Sequence, residues 1–162
     1  FLLKISVVAY LKLLRNLYNM DETITLLLFE VFEKIEKAST KKEKIELLKK
    51  YNSPALLNIL KGTFDDSIQW LLPDGNPPFE ANDGFNSPSN FLKQYDKLKY
   101  FAKGGPGEKL MPIKRETMFI GMLESIHPKD AALVIAMIRR TSPAKGLTKA
   151  LVKEVFPDLI KQ

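Results

Sequence analysis

Five basic residues near the end of the chain have types and spacing suited to binding phosphate groups. They are Arg139, Arg140, Lys145, Lys149 and Lys153. Basic side chains bind nucleic-acid phosphates, and the three lysines recur every four residues, so they share one face wherever the segment is helical. We therefore expect a basic C-terminal edge suited to binding duplex nucleic acid without sequence preference. The alternative is an ordinary last helix with a solvated lysine face.

Residues that support enzymatic chemistry are scarce. The chain has no cysteine, which excludes disulfides, Cys-ligated zinc and thiol catalysis. Its one histidine, His127, precedes Pro128, as is typical of a residue just outside a helix start. The run GGPGEK (104–109) has the glycines of a phosphate loop, but Pro106 lacks the backbone amide such a loop uses, so we interpret it as a helix stop. The sequence predicts no enzyme, no metal site and no cofactor.

The first nineteen residues differ from the rest of the chain. Of the net charge of +6, residues 1–19 contribute +3 from three basic residues, and the first methionine is Met20. The segment is too short and too charged to span a membrane, and its charges interrupt the apolar region that a signal peptide needs. It is a packed first helix, an amphipathic surface helix, or translated sequence upstream of a start at Met20, which we favour. No membrane association is expected.

Residues 20–162 are predicted to form a single helical domain. Apolar residues recur at helical spacing, and no segment alternates as a strand would. Polar residues or prolines mark the expected helix starts, which are Thr23, Thr40, Ser53–Pro54, Ser87–Pro88, Pro112, Pro128 and the beginning of LTKALVKEVF (147–156). Gly62 is expected just past the end of one helix. We predict an all-α, compact multi-helix domain of about seven helices.

One long polar loop interrupts this pattern. Residues 72–88 are rich in Pro, Gly, Asn and Asp, and loops of this length are functional or flexible. The surrounding residues 64–90 contain five acidic and no basic residues. Phe79 and Phe85 are expected to be exposed in the loop, which makes it a candidate surface for a protein partner.

Several long segments resemble known sequences. ITLLLFEVFEKIEKASTKKEKIELLKKYNSPAL, FDDSIQWLLPDGNPPF, FAKGGPGEKLMPIKRETMFIGMLESIHPKDAALVIAM and LTKALVKEVFPDLI resemble an uncharacterised family of T-even-like tailed phages, especially marine cyanophages. The resemblance covers nearly all of residues 20–162. It implies a phage origin, and with it the host cytoplasm as the location.

The same layout is similar, more distantly, to the N-terminal helical domain of ATP-dependent phage DNA ligases. There too a STKKEKIELLKK-like helix, an ALLNILKGTFD-like helix and a SIQW-like turn follow one another, and the domain ends with a basic turn and a KEVFPDLI-like helix. In ligases this domain grips duplex DNA across the minor groove, so the resemblance implies duplex binding. Ligases attach AMP to the lysine of Lys-x-Asp-Gly, and Leu72 stands at that position in the run Leu72-Pro73-Asp74-Gly75. Ligation is therefore not expected.

Three functions from different classes follow, of which the third, a membrane-surface protein, rests only on residues 1–19 and fails if translation starts at Met20. The first is a non-enzymatic phage accessory protein that binds duplex DNA through the five basic residues. The second is a protein-interaction module that engages a phage or host replication or transcription protein through the acidic loop and binds no nucleic acid.

Overall fold

The computed structural model describes residues 26–161, which form seven α-helices and one 3-10 helix and contain no strand beyond an isolated bridge. The helices are α1 Leu28–Lys37, α2 Lys41–Lys50, α3 Pro54–Phe64, α4 Phe91–Gln94, α5 Pro112–Ser125, α6 Pro128–Ile138 and α7 Lys149–Val155. The 3-10 helix, Tyr95–Phe101, continues directly from α4. The predicted all-α fold is thereby confirmed for these residues. Residues 1–19 and Thr23 lie outside the described residues.

Side-chain caps set most of the helix starts. Thr40, Ser53 and Thr148 each accept a hydrogen bond from the backbone N–H three residues later, as their types predict. The prediction of a start at Ser87–Pro88 is wrong, because Asn90 is the capping residue and accepts from the N–H of Lys93. Helix α4 therefore begins at Phe91.

Helix α6 lies at the centre of the domain. It packs against α1, α3 and α5, and α2 packs against α1 and α7. The side chains of Ala131, Val134 and Met137 are fully buried along it. Burying such apolar area supplies most of the favourable free energy of folding. The helices before and after the long loop therefore share one core.

The junction of α1 and α6 contains a buried carboxylate. Asp130, in the first turn of α6, accepts a hydrogen bond of 2.9 Å from the N–H of Phe29, in the first turn of α1. The same phenyl ring stacks on His127, whose Nδ1 accepts from the N–H of Lys129. Burial raises the pKa of Asp130 to about 6, although the Phe29 bond opposes the rise. Because the folded pKa exceeds the ordinary value, this carboxyl favours folding at low pH, and that contribution is lost as the pH rises through about 6.

The loop over residues 72–88 has no helix or strand, as predicted. Its far half is tied to the end of α5, where the Asn82 amide donates to the carbonyl oxygens of Glu124 and Ile126 at 2.9 and 2.7 Å. Phe85 is 96% exposed, which confirms one of the two predicted exposed aromatics. The other prediction is wrong, because Phe79 is half-buried against the core. The loop's flexibility stays a prediction.

Gly62 does not end its helix, contrary to the prediction. Helix α3 continues through it to Phe64. A Cβ atom at Gly62 would lie 2.4 Å from Met137 Sδ and 2.8 Å from Trp70 Cζ2. The glycine therefore allows α3 to approach α6 and Trp70 closely, a role that depends on packing between distant segments.

We expect Gly62→Ala to lower the free energy of unfolding by about 1–3 kcal/mol, because the added methyl group overpacks the contact with Met137 and Trp70. Urea unfolding followed by circular dichroism measures the change. Gly121→Ala is the matched control, since nothing lies within 4 Å of a Cβ atom there. Alanine is the better helix former, so this control is expected to gain up to about 1 kcal/mol. Equal losses in the two variants would contradict the packing explanation.

Candidate nucleic-acid interface

The five basic residues predicted to form a phosphate-binding edge lie on three segments, which are the end of α6, the following turn and α7. Arg139 is exposed at the end of α6 and donates a hydrogen bond to the side-chain oxygen of Asn76 in the long loop. Lys145 lies in the turn before α7, where its backbone N–H donates to Glu36 at 3.0 Å. Lys149 and Lys153 lie one turn apart on α7. The predicted four-residue repeat therefore holds only for the last two lysines.

Arg140 has a structural role. Its guanidinium donates to the carbonyl oxygens of Gly62 at 2.9 Å and Asp65 at 2.7 Å, and also to that of Ile68. These carbonyls lie at the end of α3 and in the following turn, where helix carbonyls lack partners within the helix. The assignment of Arg140 to phosphate binding is therefore not supported by its position, since three of its N–H donors are taken by these carbonyls.

The backbone of Arg140 adopts an unfavourable conformation, and the hydrogen bonds of its side chain to the three carbonyls offset that cost. Its φ of 59° lies in the left-handed region, which costs a non-glycine residue roughly 1–2 kcal/mol. The N–H groups of Arg140 and Thr141 donate to the carbonyls of Met137 and Ala136, a helix-ending arrangement in which glycine is usual. An arginine in this position places three carbonyl partners within reach of one side chain.

Asp65 is the second charged group at the end of α3, and it is fully buried. One carboxylate oxygen accepts from the N–H and hydroxyl of Ser67, at 2.9 and 2.6 Å. The other accepts from Lys61 Nζ at 3.0 Å and from the N–H of Lys161 at 3.3 Å. Burial alone would raise the pKa of Asp65, but these bonds outweigh it and hold the pKa well below its ordinary value.

Asp65 and its partners border a cleft that the sequence did not predict. The cleft has a volume of about 330 Å³. Its basic lining residues are Lys61 from α3, Lys99 from the 3-10 helix, Lys103 from the turn after it, and Lys161 near the C-terminus. Trp70 also lines it, and no acidic side chain does. We call this feature the lysine cleft.

Backbone pairing and a tryptophan hold the two walls of the lysine cleft together. The N–H of Leu71 donates to the carbonyl of Phe101 at 2.7 Å, and the N–H of Lys103 donates to that of Gln69 at 2.9 Å. Trp70 Nε1 donates to the carbonyl of Gly62 at 3.3 Å. The positions of the lysine side chains are therefore set by contacts between segments that are far apart in sequence.

Part of this cleft has a signal in the sequence that helical spacing does not reveal. Residues 91–114 contain six lysines and two acidic residues, a net charge of +4 that equals the charge of residues 139–162. This count would have indicated a second basic region. It would not have joined that region to Lys61 and Lys161.

Lys149, the first residue of α7, forms an ion pair. Lys149 Nζ lies 2.8 Å from the Asp66 carboxylate, which is 85% exposed. The hydrogen bond from Lys149 lowers the pKa of Asp66. Ion pairs exposed to solvent contribute little to stability, so a competing anion displaces such a carboxylate at small cost. Lys153 is exposed and forms no ion pair with another described residue.

Residues 26–161 contain neither a metal-binding cluster nor a membrane-spanning helix. No group of three or more His, Asp or Glu side chains there is placed to hold a metal ion. No helix in this part of the chain combines the length and apolar character needed to cross a membrane.

Comparison with models of protein families places most of the chain in a family. A sequence model described as a family of unknown function, DUF6433, matches residues 31–142. The matched segment includes α2 to α6 and three of the four cleft lysines, Lys61, Lys99 and Lys103. No curated protein matches the chain.

We expect Arg140→Lys to lower the free energy of unfolding by about 1–3 kcal/mol, because a single ammonium group does not reproduce the planar fork that reaches three carbonyls. Chemical denaturation measures the loss. The neighbouring Arg139→Lys is the matched control and is expected to change stability by less than about 0.5 kcal/mol, since that side chain is exposed. A loss in the control as large as in Arg140→Lys would show that the carbonyl contacts are unimportant.

We also expect Asp65→Asn to destabilise the protein by about 2 kcal/mol near pH 6, because an amide cannot accept all four hydrogen bonds. The stability contributed by a carboxylate of lowered pKa is present above the unfolded value of 3.8 and is lost as the pH falls below it. The difference between wild type and variant should therefore shrink between pH 5 and pH 2. Urea unfolding across that range tests this, and a constant difference would contradict it.

Proposed function

The chain belongs to this family of unknown function, and we propose that it is a non-enzymatic phage accessory protein that binds duplex nucleic acid without sequence preference. The observation that carries the proposal is the lysine cleft, in which four basic side chains converge beside Trp70 and no acidic residue lies in the lining. Clustered lysines meeting phosphates supply most of the affinity in sequence-independent binding.

The cleft lysines are available to phosphate groups in different degrees. Lys103 is exposed, and neither it nor Lys161 forms an ion pair with another described residue. Lys99 pairs with Asp96 at 2.8 Å, but both side chains are about half exposed or more, so the pair is weak. Lys61 is held by Asp65 and by the carbonyl of Leu159, so it contributes charge from a fixed position.

Part of the originally predicted edge extends this surface. Lys149 contacts Asp66, which adjoins Ser67 in the lining of the lysine cleft. Lys153 follows one turn later on α7. In the proposal, these two lysines bind further phosphates of the same duplex outside the cleft. Arg139, Arg140 and Lys145 are not part of the proposed surface.

The resemblance to the N-terminal helical domain of phage DNA ligases supports duplex DNA as the partner. The ligase-like turn SIQW contributes Ser67, Ile68 and Trp70 to the lysine cleft. The ligase-like segment KEVFPDLI begins at Lys153. In the proposal, both segments lie on the nucleic-acid side. The absence of the adenylated lysine, with Leu72 in its place, fits binding without ligation.

Binding to a short mixed-sequence DNA duplex, measured by fluorescence anisotropy at several salt concentrations, tests the proposal. We expect Lys103→Gln/Lys161→Gln to weaken binding about tenfold at low salt and to reduce the slope of log K against log salt by about two. Lys34→Gln/Lys42→Gln is the matched control, because it removes the same charge from exposed positions on α1 and α2. Residues 1–19 are present in every protein compared. Equal losses in the two double variants, or no binding at low salt, would overturn the proposal.

A variant expected to gain affinity separates a local role of Lys149 from a general effect of charge. Asp66→Asn releases Lys149 at an exposed position and should strengthen binding several-fold. Glu46→Gln removes the same charge from an exposed position on α2, outside the proposed surface, and serves as the control. If the two substitutions strengthen binding equally, Lys149 has no specific part in it.

A further inference from the structure

A second surface has a chemistry opposite to that of the lysine cleft. A groove of about 140 Å³ lies between the loop segment Leu72–Pro78, α5 and α6. Its floor is formed by Phe119, Ile120, Ile135 and Ile138. It shares no lining residue with the lysine cleft. We call it the apolar groove.

The size of the apolar groove limits what it can hold. A cavity of roughly 150 Å³ lined by aliphatic and aromatic side chains accommodates a group about the size of benzene. One aromatic or branched aliphatic side chain therefore fits. Ile113, seven residues before Ile120 on the same face of α5, is 67% exposed and extends the apolar strip beyond the groove.

Two acidic side chains and one basic side chain line the groove. Asp74 and Glu116 line it, and neither forms an ion pair with another described residue. Arg139 is the one basic residue in the lining, and its guanidinium is engaged by Asn76. Residues 64–90, which supply the loop wall, contain no Lys or Arg at all. An apolar floor with acidic groups at the rim is complementary to an apolar side chain flanked by positive charge.

We propose that the apolar groove binds a short segment of a protein partner in which an aromatic or branched apolar residue is flanked by Lys or Arg. The apolar side chain occupies the space over Ile120 and Ile138, and the flanking cations lie beside Asp74 and Glu116. The proposal is independent of nucleic-acid binding, since it rests on different residues. It gives the acidic loop the protein-binding role expected from its composition.

Nuclear magnetic resonance of the ¹⁵N-labelled full chain tests the proposal. The probe is a nine-residue Gly/Ser peptide that carries one Phe between two Arg residues. Two control peptides replace Phe by Ala or both Arg by Glu. We expect the probe to shift the amide signals of Gly75, Ile120 and Ile138 in a saturable way, and both control peptides to bind at least tenfold more weakly. No shifts at millimolar probe, equal shifts with a control peptide, or shifts confined to the lysine cleft would overturn the proposal.

Charge reversal at the rim gives a matched pair of variants. Glu116→Lys should weaken probe binding at least fivefold, whereas Glu46→Lys, at an exposed position on α2, should leave it unchanged. Thermal unfolding of both variants verifies that they fold. If groove signals instead change on dilution of the protein alone, a second copy of the chain occupies the groove and the proposal is wrong.

Discussion

The arrangement of this domain depends on the hydrogen bonds made by the carbonyl and carboxylate groups at the end of helix α3. The carbonyl groups of Gly62, Asp65 and Ile68 accept hydrogen bonds from one guanidinium. It belongs to Arg140, at the end of α6. The Asp65 carboxylate, fully buried one residue past the helix, accepts hydrogen bonds from the next turn and from the C-terminal segment. Leaving a buried polar group without a hydrogen bond costs on the order of 1–3 kcal/mol. The segments that make these contacts are therefore held in fixed positions relative to α3.

The lysine cleft is a consequence of that constraint. Asp65 places Lys61 and Lys161 on one side, and the pairing of Trp70 with Ala102 brings Lys103 to the other. Positive charge therefore accumulates around a negative group that is inaccessible to solvent and already fully hydrogen-bonded. The result is a surface that is basic towards solvent, although it is organised by a carboxylate.

The same end of α6 that supplies Arg140 also supplies Arg139 to the apolar groove. The two surfaces are thus positioned by a shared helix while their chemistry remains distinct.

The sequence predicted those features that are decided within a few residues. Thr40 and Ser53 cap helices as predicted, because their side chains reach the N–H three residues on, which requires nothing from the rest of the chain. A glycine near the end of a helical pattern is typical of a position just past the helix. Gly62 instead lies inside α3, where it allows close contact with Met137 and Trp70. Arg140 matches a phosphate-binding residue by type and neighbourhood, but its partners lie more than seventy residues earlier. The lysine cleft joins four side chains with no common spacing, and no periodicity connects them.

We propose that nucleic acid lies in the lysine cleft, where the chain's single tryptophan, Trp70, reports on binding directly. The decisive measurement is Trp70 fluorescence, followed together with the anisotropy of a labelled duplex in one titration. We expect the Trp70 emission to change over the same concentration range as the anisotropy, and added salt to reverse both signals together. An anisotropy change with unaltered Trp70 emission would place the nucleic acid elsewhere and contradict the account.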